Sequence, residues 1–443
     1  MQNLIFQNDH EIRFSKILHF IIPTYLTSLF NTVYTIIDGI FVASFVSSNA
    51  LASINIVYPI VNILTAIALL FATGGSSLTA MHIGGKRYKK ANQTFIASII
   101  ASMTLGIGIA LMIILFLKKL LLLLGATSQT QNDCRIYALF WLLGTPVVIG
   151  KELLTYFIRV DGSPTYSLIS ALTGGIINII LDYIFIKNMH LGITGAALAT
   201  ILGLMTSFTM GIIYFIKYHH YLSLHFEEIS MHTIVRCMTN GLSEFVDQLA
   251  IAITTIVFNR SILTFAQEDG VAALSIIMYL QFIFIGIYFG FSMGLATPLS
   301  YAYGDHKLKI CEHLEHYAHC FFLIAPIVIY GLCFSLAPIG VRCFVNQATP
   351  VYTLGVKGMR IYGLGFLFSG INIFSAIRLM AYGKGHLSGL LTCLRSFALL
   401  LFFLMLLPRL FGINGIWLAV PVTEFLTMFV ALFLTKYTSL QKS

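Results

Sequence analysis

Charge is what this chain has least of. Only 10% of its 443 residues are Asp, Glu, Lys or Arg, whereas a soluble domain carries about 25%. So few charges cannot cover a water-facing surface, and an ordinary soluble enzyme or binding domain is excluded. Acids are scarcest, 17 against 26 basic residues. The seven cysteines (Cys134, Cys237, Cys311, Cys320, Cys333, Cys343, Cys393) are scattered, odd in number and never spaced C-x-x-C, which argues against a disulfide framework. No His-Glu-x-x-His pair and no nucleophile clustered with a base occurs, so nothing points to a membrane enzyme. No cleavable leader is expected. The first thirteen residues are polar, with Asp9, His10, Glu11 and Arg13, and the apolar run that follows is too long for a signal segment.

What the chain has instead is apolar length. Hydrophobic residues make up 58%, in continuous runs of about 20 residues or more, the length of a helix across a hydrocarbon core about 30 Å thick. Barrel strands would read as alternating segments of about ten residues. In lipid every backbone N–H and C=O must be satisfied internally. The fold class expected is therefore an all-α membrane protein. Twelve spans are read, roughly 14–46, 51–82, 92–117, 131–157, 165–187, 193–216, 236–262, 270–300, 313–337, 353–380, 386–407 and 413–436. The longest polar break, Lys217 to His232, divides an N-terminal six-helix lobe (1–216) from a C-terminal one (236–443), with 217–235 as an inter-lobe loop.

The net charge of +9 is read as cations flanking membrane spans, not as a nucleic-acid surface. Sixteen Lys and Arg, among them Arg13, Lys86, Arg87, Lys217, Lys307 and Lys442, fall at helix ends on one side, against nine on the other, among them Lys118, Arg260 and Arg409. Both termini and the central loop are therefore expected to be cytoplasmic, in a multi-pass protein of the cell membrane.

The two halves repeat. Gly75…Gly85 aligns with Gly294…Gly304 at an offset of 219, and Leu191-Gly-Ile-Thr-Gly-Ala-Ala-Leu-Ala199 with Phe411-Gly-Ile-Asn-Gly-Ile-Trp-Leu-Ala419 at 220. An even number of spans per half makes the repeats parallel, related by a pseudo-twofold axis along the membrane normal.

Polar groups inside these spans carry the chemistry. A carboxylate at a helix centre costs about 2.5–3.5 kcal/mol on insertion scales and normally faces a cavity or partner. Asp38 lies inside the first span and Asp182 inside the fifth. Spacings of four put Tyr34 with Asp38, and Asn178 with Asp182, on single helix faces. Thr200 follows directly on the Gly/Ala-rich run Gly195-Ala-Ala-Leu-Ala199, which permits close helix approach. Carboxylate, amide and hydroxyl oxygens suit a hard cation such as Na⁺. Two carboxylates in one poorly solvated site also suit a proton, because both cannot easily ionise together. At offset 220 these positions map to Phe258, Ala398, Phe402 and Val420, so the polar set belongs to one half only.

Glu244 and Asp247, near the start of the seventh span, either face a cleft or are solvated end residues. Arg395 with Glu424, and Lys151 with Glu152, read as structural pairs. Pro23 removes a donor inside the first span, so a bend is expected there. His313, His316 and His319 read as an interfacial face, not a metal site. The 36 Phe, 21 Tyr and 15 Met would favour aromatic, amphiphilic or cationic guests wherever they line a cleft.

Taken in order, Pro23, Tyr34…Asp38-Gly-Ile-Phe, Pro59, Gly75…Gly85-Lys86, Arg159-Val-Asp161-Gly-Ser-Pro164, Asn178…Asp182, Gly192…Thr200 and Gly294…Gly304 resemble the multidrug and toxic compound extrusion (MATE) family. The resemblance covers nearly the whole chain. It implies two six-helix lobes around a V-shaped cleft, and export of organic, often cationic, compounds in exchange for H⁺ or Na⁺. It also implies a coupling site of two acids, an amide and a hydroxyl, matched here by Asp38, Asn178, Asp182 and Thr200. A tyrosine of the family's fourth helix is matched by Tyr137. The seventh helix of the family often opens Gly-x-Pro; here it reads Gly241-Leu242-Ser243. Some members carry a coupling acid in that helix, which Glu244 or Asp247 matches approximately. The partners expected are small organic substrates and membrane lipids, with no cofactor beyond the coupling ion, no nucleic acid and a monomeric state. The alternative is a lipid-linked oligosaccharide flippase of similar two-lobe architecture, which would need a cationic cleft for pyrophosphate. A channel would show uncoupled conductance.

Overall fold

The computed structural model describes residues 14–46, 48–226 and 228–440. Arg13 and Lys442, counted above among the flanking cations, lie outside them. The described residues are helical almost throughout. We number the membrane-length helices α1 (Phe14–Phe45), α2 (Ser48–Gly84), α3 (Tyr88–Leu123), α4 (Gln131–Leu143 and Thr145–Val160), α5 (Pro164–Asp182, continued by a π-helical turn Tyr183–Asn188) and α6 (Gly192–Lys217). The second half supplies α7 (242–266), α8 (268–304), α9 (Leu308–Arg342), α10 (Pro350–Ala381), α11 (Gly385–Phe411) and α12 (Ile413–Leu440). The two arms of α4 meet at 52°. Helices α7 and α8 are divided where Gln267 takes φ 50°, ψ −142°. Twelve spans are thus present among the described residues, at the places the apolar runs predict.

These helices solve the lipid problem locally. Hydroxyls inside the spans donate to carbonyls of their own helix: Thr73 to Leu69 at 2.8 Å, Ser98 to Thr94 at 2.7 Å and Thr155 to Lys151 at 2.7 Å. Pro23 does not interrupt α1. Its carbonyl accepts from Thr27 Oγ1 at 2.7 Å, and that of Phe20 from Thr24 Oγ1 at 2.8 Å.

The seventh span departs from expectation at its start. A short helix, Met231–Asn240, straddles the end of the expected loop and the start of the expected span and precedes α7, from which Gly241 separates it. The reason is proximity to α2: a Cβ on Gly241 would lie 1.8 Å from the Leu70 carbonyl oxygen. No side chain fits there, and the chain turns against α2.

The halves meet through α2 and α8 on the side of the molecule that carries the linker. A Cβ on Gly84 would lie 2.0 Å from the Tyr301 carbonyl oxygen, and one on Gly304 would lie 2.0 Å from that of Met81. Gly84 and Gly304 are 220 apart, as are Met81 and Tyr301. The contact is therefore reciprocal, as across a twofold axis. Gly74 against Gly241 and Gly294 against Ile21 form a second such pair. The turns that follow match as well: Lys86 and His306 both take φ 57°. One register of 220 serves both halves, and the offset of 219 read for the glycine segment is corrected by one residue. Glycine 84, not 85, is the counterpart of Gly304.

The linker is fastened to the first half. Asp161, fully buried between α4 and α5, accepts from Tyr214 Oη (2.9 Å) and from the backbone N–H groups of His220 (2.7 Å), Tyr221 (2.8 Å) and Leu222 (2.9 Å). Asn92 adds bonds to Ser223 N–H and the His225 carbonyl, and Tyr88 stacks on Tyr221. Linker segment 220–225 therefore belongs structurally with α3–α6.

Because the α2–α8 crossing leaves no room for a methyl group, Gly84→Ala and Gly304→Ala are each expected to destabilise the purified protein by about 1–3 kcal/mol, the range for overpacking. Gly108→Ala, where an added Cβ meets nothing within 4 Å, is the control. Thermal melting in detergent checks the difference.

Candidate functional site

Small residues bring three helices of the first half together. A Cβ on Gly174 of α5 would meet Ser207 of α6 at 2.1 Å, and one on Gly175 would meet the Phe30 ring of α1 at 2.4 Å. From α6, a Cβ on Gly203 would lie 2.7 Å from the Asn178 Cβ. One turn before Gly203, Thr200 is buried, its hydroxyl donating to the Ala196 carbonyl at 2.9 Å. The π-helical turn that begins at Tyr183 widens α5 directly after Asp182, a distortion frequent at functional sites.

In this packing Asp38 of α1 and Asp182 of α5 become neighbours, their carboxyl groups within reach of one shared proton. Asp182 is 0% exposed and Asn178, one turn earlier, 3%. Among the described residues, apart from a proton the two carboxyl groups could share, neither polar atom of either side chain has a hydrogen-bond partner, nor does Asp38 Oδ1. Buried polar groups are normally paired, so this unpaired set of carboxylate and amide atoms is exceptional for a protein interior. Tyr137, from the first arm of α4, is buried close enough to Asp38 and Tyr34 to interact with both electrostatically. Tyr34, Asp38, Tyr137, Asn178 and Asp182 thus lie near one another where α1, α4 and α5 meet, and Thr200 lies one turn before Gly203, which packs against Asn178.

The second half holds a different arrangement. Arg395, in the π-helical turn Leu394–Ala398 of α11, lies 3.6 Å from Asp247 of α7 and 3.8 Å from Glu424 of α12. Ser396 donates to Asp247, and Asn372 of α10 donates to Glu424 Oε2 at 2.6 Å. Glu244 is buried beside Asp247 and Arg395 without a hydrogen bond, so it is not a solvated end residue; Asp247 is about a third exposed. The Arg395–Glu424 pair expected from sequence is present, with Asp247 as a third member. Sequence reasoning missed Asn372 and Ser396, ordinary polar residues whose partners lie on other helices. Lys151 and Glu152 pair at 2.7 Å. His313 and His319 turn to carbonyls of their own helix. Among the described residues no group of three or more His, Cys, Asp or Glu is placed to hold a metal.

Twelve lipid-length helices in two related halves, with carboxyl groups gathered inside each of them, define a membrane transporter. Comparison supplies the family. The MatE family profile matches residues 23–184 and again 244–406, once in each half. The chain belongs to the MatE family. It is 26% identical over 445 residues to the multidrug export protein MepA of Staphylococcus haemolyticus, covering 97% of this chain and 95% of the relative. Against MepA of Staphylococcus saprophyticus the figures are 25% over 426 residues, 93% and 91%. Among solved structures, one described as an outward-facing conformation of a multidrug resistance MATE family transporter superposes with a TM-score of 0.89 at 21% identity, over 96% of both chains.

Arg395 is the only cation within ion-pair distance of Asp247 and Glu424 among the described residues. Removing one partner from a buried charge set costs about 3–5 kcal/mol. Arg395→Met is expected to destabilise by an amount in that range, and adding Glu424→Met is expected to recover part of the loss. A double-mutant cycle of thermal melting, with Asp247 unchanged, measures the coupling.

Proposed function

We propose that this transporter exports organic, cationic or amphiphilic compounds across the cell membrane in exchange for H⁺ or Na⁺, by alternating access. Multidrug export, the activity named for the MepA relatives, is the coarse form of this reading. The observation that carries the finer form is the meeting of Asp38 and Asp182 where α1 packs on α5, with no donor among the described residues to satisfy them. The coupling ion is cargo, and its site would be Asp38, Asn178, Asp182 and Thr200. For a proton, the adjacent carboxyls offer a shared bond that removes one negative charge from the apolar interior. For Na⁺, the carboxylate and amide oxygens supply hard donors.

The mechanism follows from the cost of those charges. Cation binding neutralises the pair and favours the state in which the recess is shut off from water. Drug binding favours the state in which the pair ionises and is hydrated. Each ligand shifts the equilibrium only by its difference in affinity for the two states. Tyr34 and Tyr137 link the pair to the rest of the first half, and Glu244 and Asp247 offer negative charge to a cationic guest on the other side. The same acidic lining argues against a pyrophosphate-handling flippase. We place both termini and the linker in the cytoplasm on the distribution of Lys and Arg, and read the working unit as a monomer.

Efflux of a fluorescent lipophilic cation from everted vesicles, under separately imposed H⁺ and Na⁺ gradients, tests the reading. Asp38→Asn and Asp182→Asn are each expected to lower gradient-driven transport by about 100-fold, the size of a lost general ionic interaction of about 2.7 kcal/mol. Transport at the wild-type rate by either variant would refute the mechanism.

A further inference from the structure

On the linker side of the molecule a small cavity separates the halves. Thr73, Ser76 and Ser77 of α2 and Tyr156 and Arg159 of α4 line it from the first half; Thr297 and Met380 are among the residues that line it from the second. Arg159 is 8% exposed. Its Nε donates to Ser167 Oγ at 3.2 Å, and its guanidinium carbon lies 4.9 Å from the centre of the Tyr156 ring. The two η nitrogens have no hydrogen-bond acceptor among the described residues, and no carboxylate lies within ion-pair distance.

Glu244 lies within electrostatic reach of the Tyr156 ring but not within ion-pair distance of Arg159, and the acids near Arg159 in the chain are committed elsewhere. Asp161, two residues on, uses its oxygens for Tyr214 and three backbone N–H groups of the linker. Glu152, two turns back, is held by Lys151. The carbonyl end of α4 and the Tyr156 face offset part of the charge. They do not satisfy the four remaining N–H donors, and a buried guanidinium normally has a partner that does.

We propose that this cavity is an anion site, in which Arg159 holds one small monovalent anion such as chloride between the two halves. The charge argues for one negative charge, since no second Lys or Arg lines the cavity. Its size admits a guest not much larger than a water molecule. The lining, hydroxyls with methionine and alanine carbons, suits a weakly hydrated halide better than sulfate or phosphate. Because both halves supply the walls, the site exists only while α2 and α8 are closed together on this side. An anion bound there favours that closed state over the one in which the halves part. The site is independent of the coupling recess between α1, α5 and α6 and makes no use of Asp38 or Asp182.

The test uses the purified full chain in detergent, in gluconate buffer of fixed ionic strength, with chloride titrated in. The melting temperature is expected to rise by several degrees and saturate, to respond more weakly in Arg159→Lys, and not to respond in Arg159→Gln. Should that last variant fail to fold, wild-type crystals grown in bromide decide the matter: an anomalous peak is expected within hydrogen-bonding distance of the Arg159 η nitrogens. A melting temperature indifferent to chloride, a chloride response that persists in Arg159→Gln, or a cavity without bromide overturns the proposal. Neither readout involves transport, so its failure leaves the coupling mechanism to stand or fall on its own test.

Discussion

Carboxyl groups are costly in a membrane, and this chain concentrates two of them where α1 passes α5. The whole first half is arranged so that this encounter is possible. Gly174, Gly175 and Gly203 remove the side chains that would hold α1, α5 and α6 apart. The π-helical turn after Asp182 changes the course of α5 directly beyond the acid. Asn178 is placed one turn away with both polar atoms unspent. Had the acids a purely architectural role, the neighbouring amide and the phenol of Tyr137 would be the obvious donors. That these buried oxygens lack a donor among the described residues is the observation on which the proposed coupling site rests.

The two halves share a scaffold but not a chemistry. The reciprocal approach of Gly84 to Tyr301 and of Gly304 to Met81 shows the duplication at the level of single atoms, and the matched turns at Lys86 and His306 extend it. Yet Asp38 has Phe258 as its counterpart, and Phe258 is buried in the apolar core of the second half. That half carries instead a cation of its own, Arg395, spanning Asp247 and Glu424. Asp38 and Asp182 thus have no cation beside them among the described residues, whereas Asp247 and Glu424 share one. Such a division suits a machine in which a mobile ion is taken up on one side of the axis only.

Much of this was legible in the sequence, for identifiable reasons. The spans could be read because lipid demands long apolar runs, and the duplication because glycine is tolerated at few alternatives where backbones touch. Asp38, Asn178 and Asp182 stood out because a carboxylate or amide in such a run is rare. What could not be read depends on contacts between distant segments. The turn at Gly241 follows from the position of the Leu70 carbonyl, and the one-residue correction to the repeat follows from which glycine meets which oxygen. The linker read as an unattached loop, because nothing near Lys217 reveals that Asp161 and Asn92 hold it. Arg159 read as part of a motif; that its η nitrogens face a cavity is a property of four helices together.

The account's central claim is that a cation occupies the Asp38–Asp182 recess and leaves when drug binds. Its most direct measurement is the number of protons or sodium ions released into weakly buffered solution as purified protein is titrated with a lipophilic cationic drug. The account predicts release of about one cation per drug bound, abolished when either aspartate is made asparagine. Drug binding that releases no ion from the wild type would contradict it.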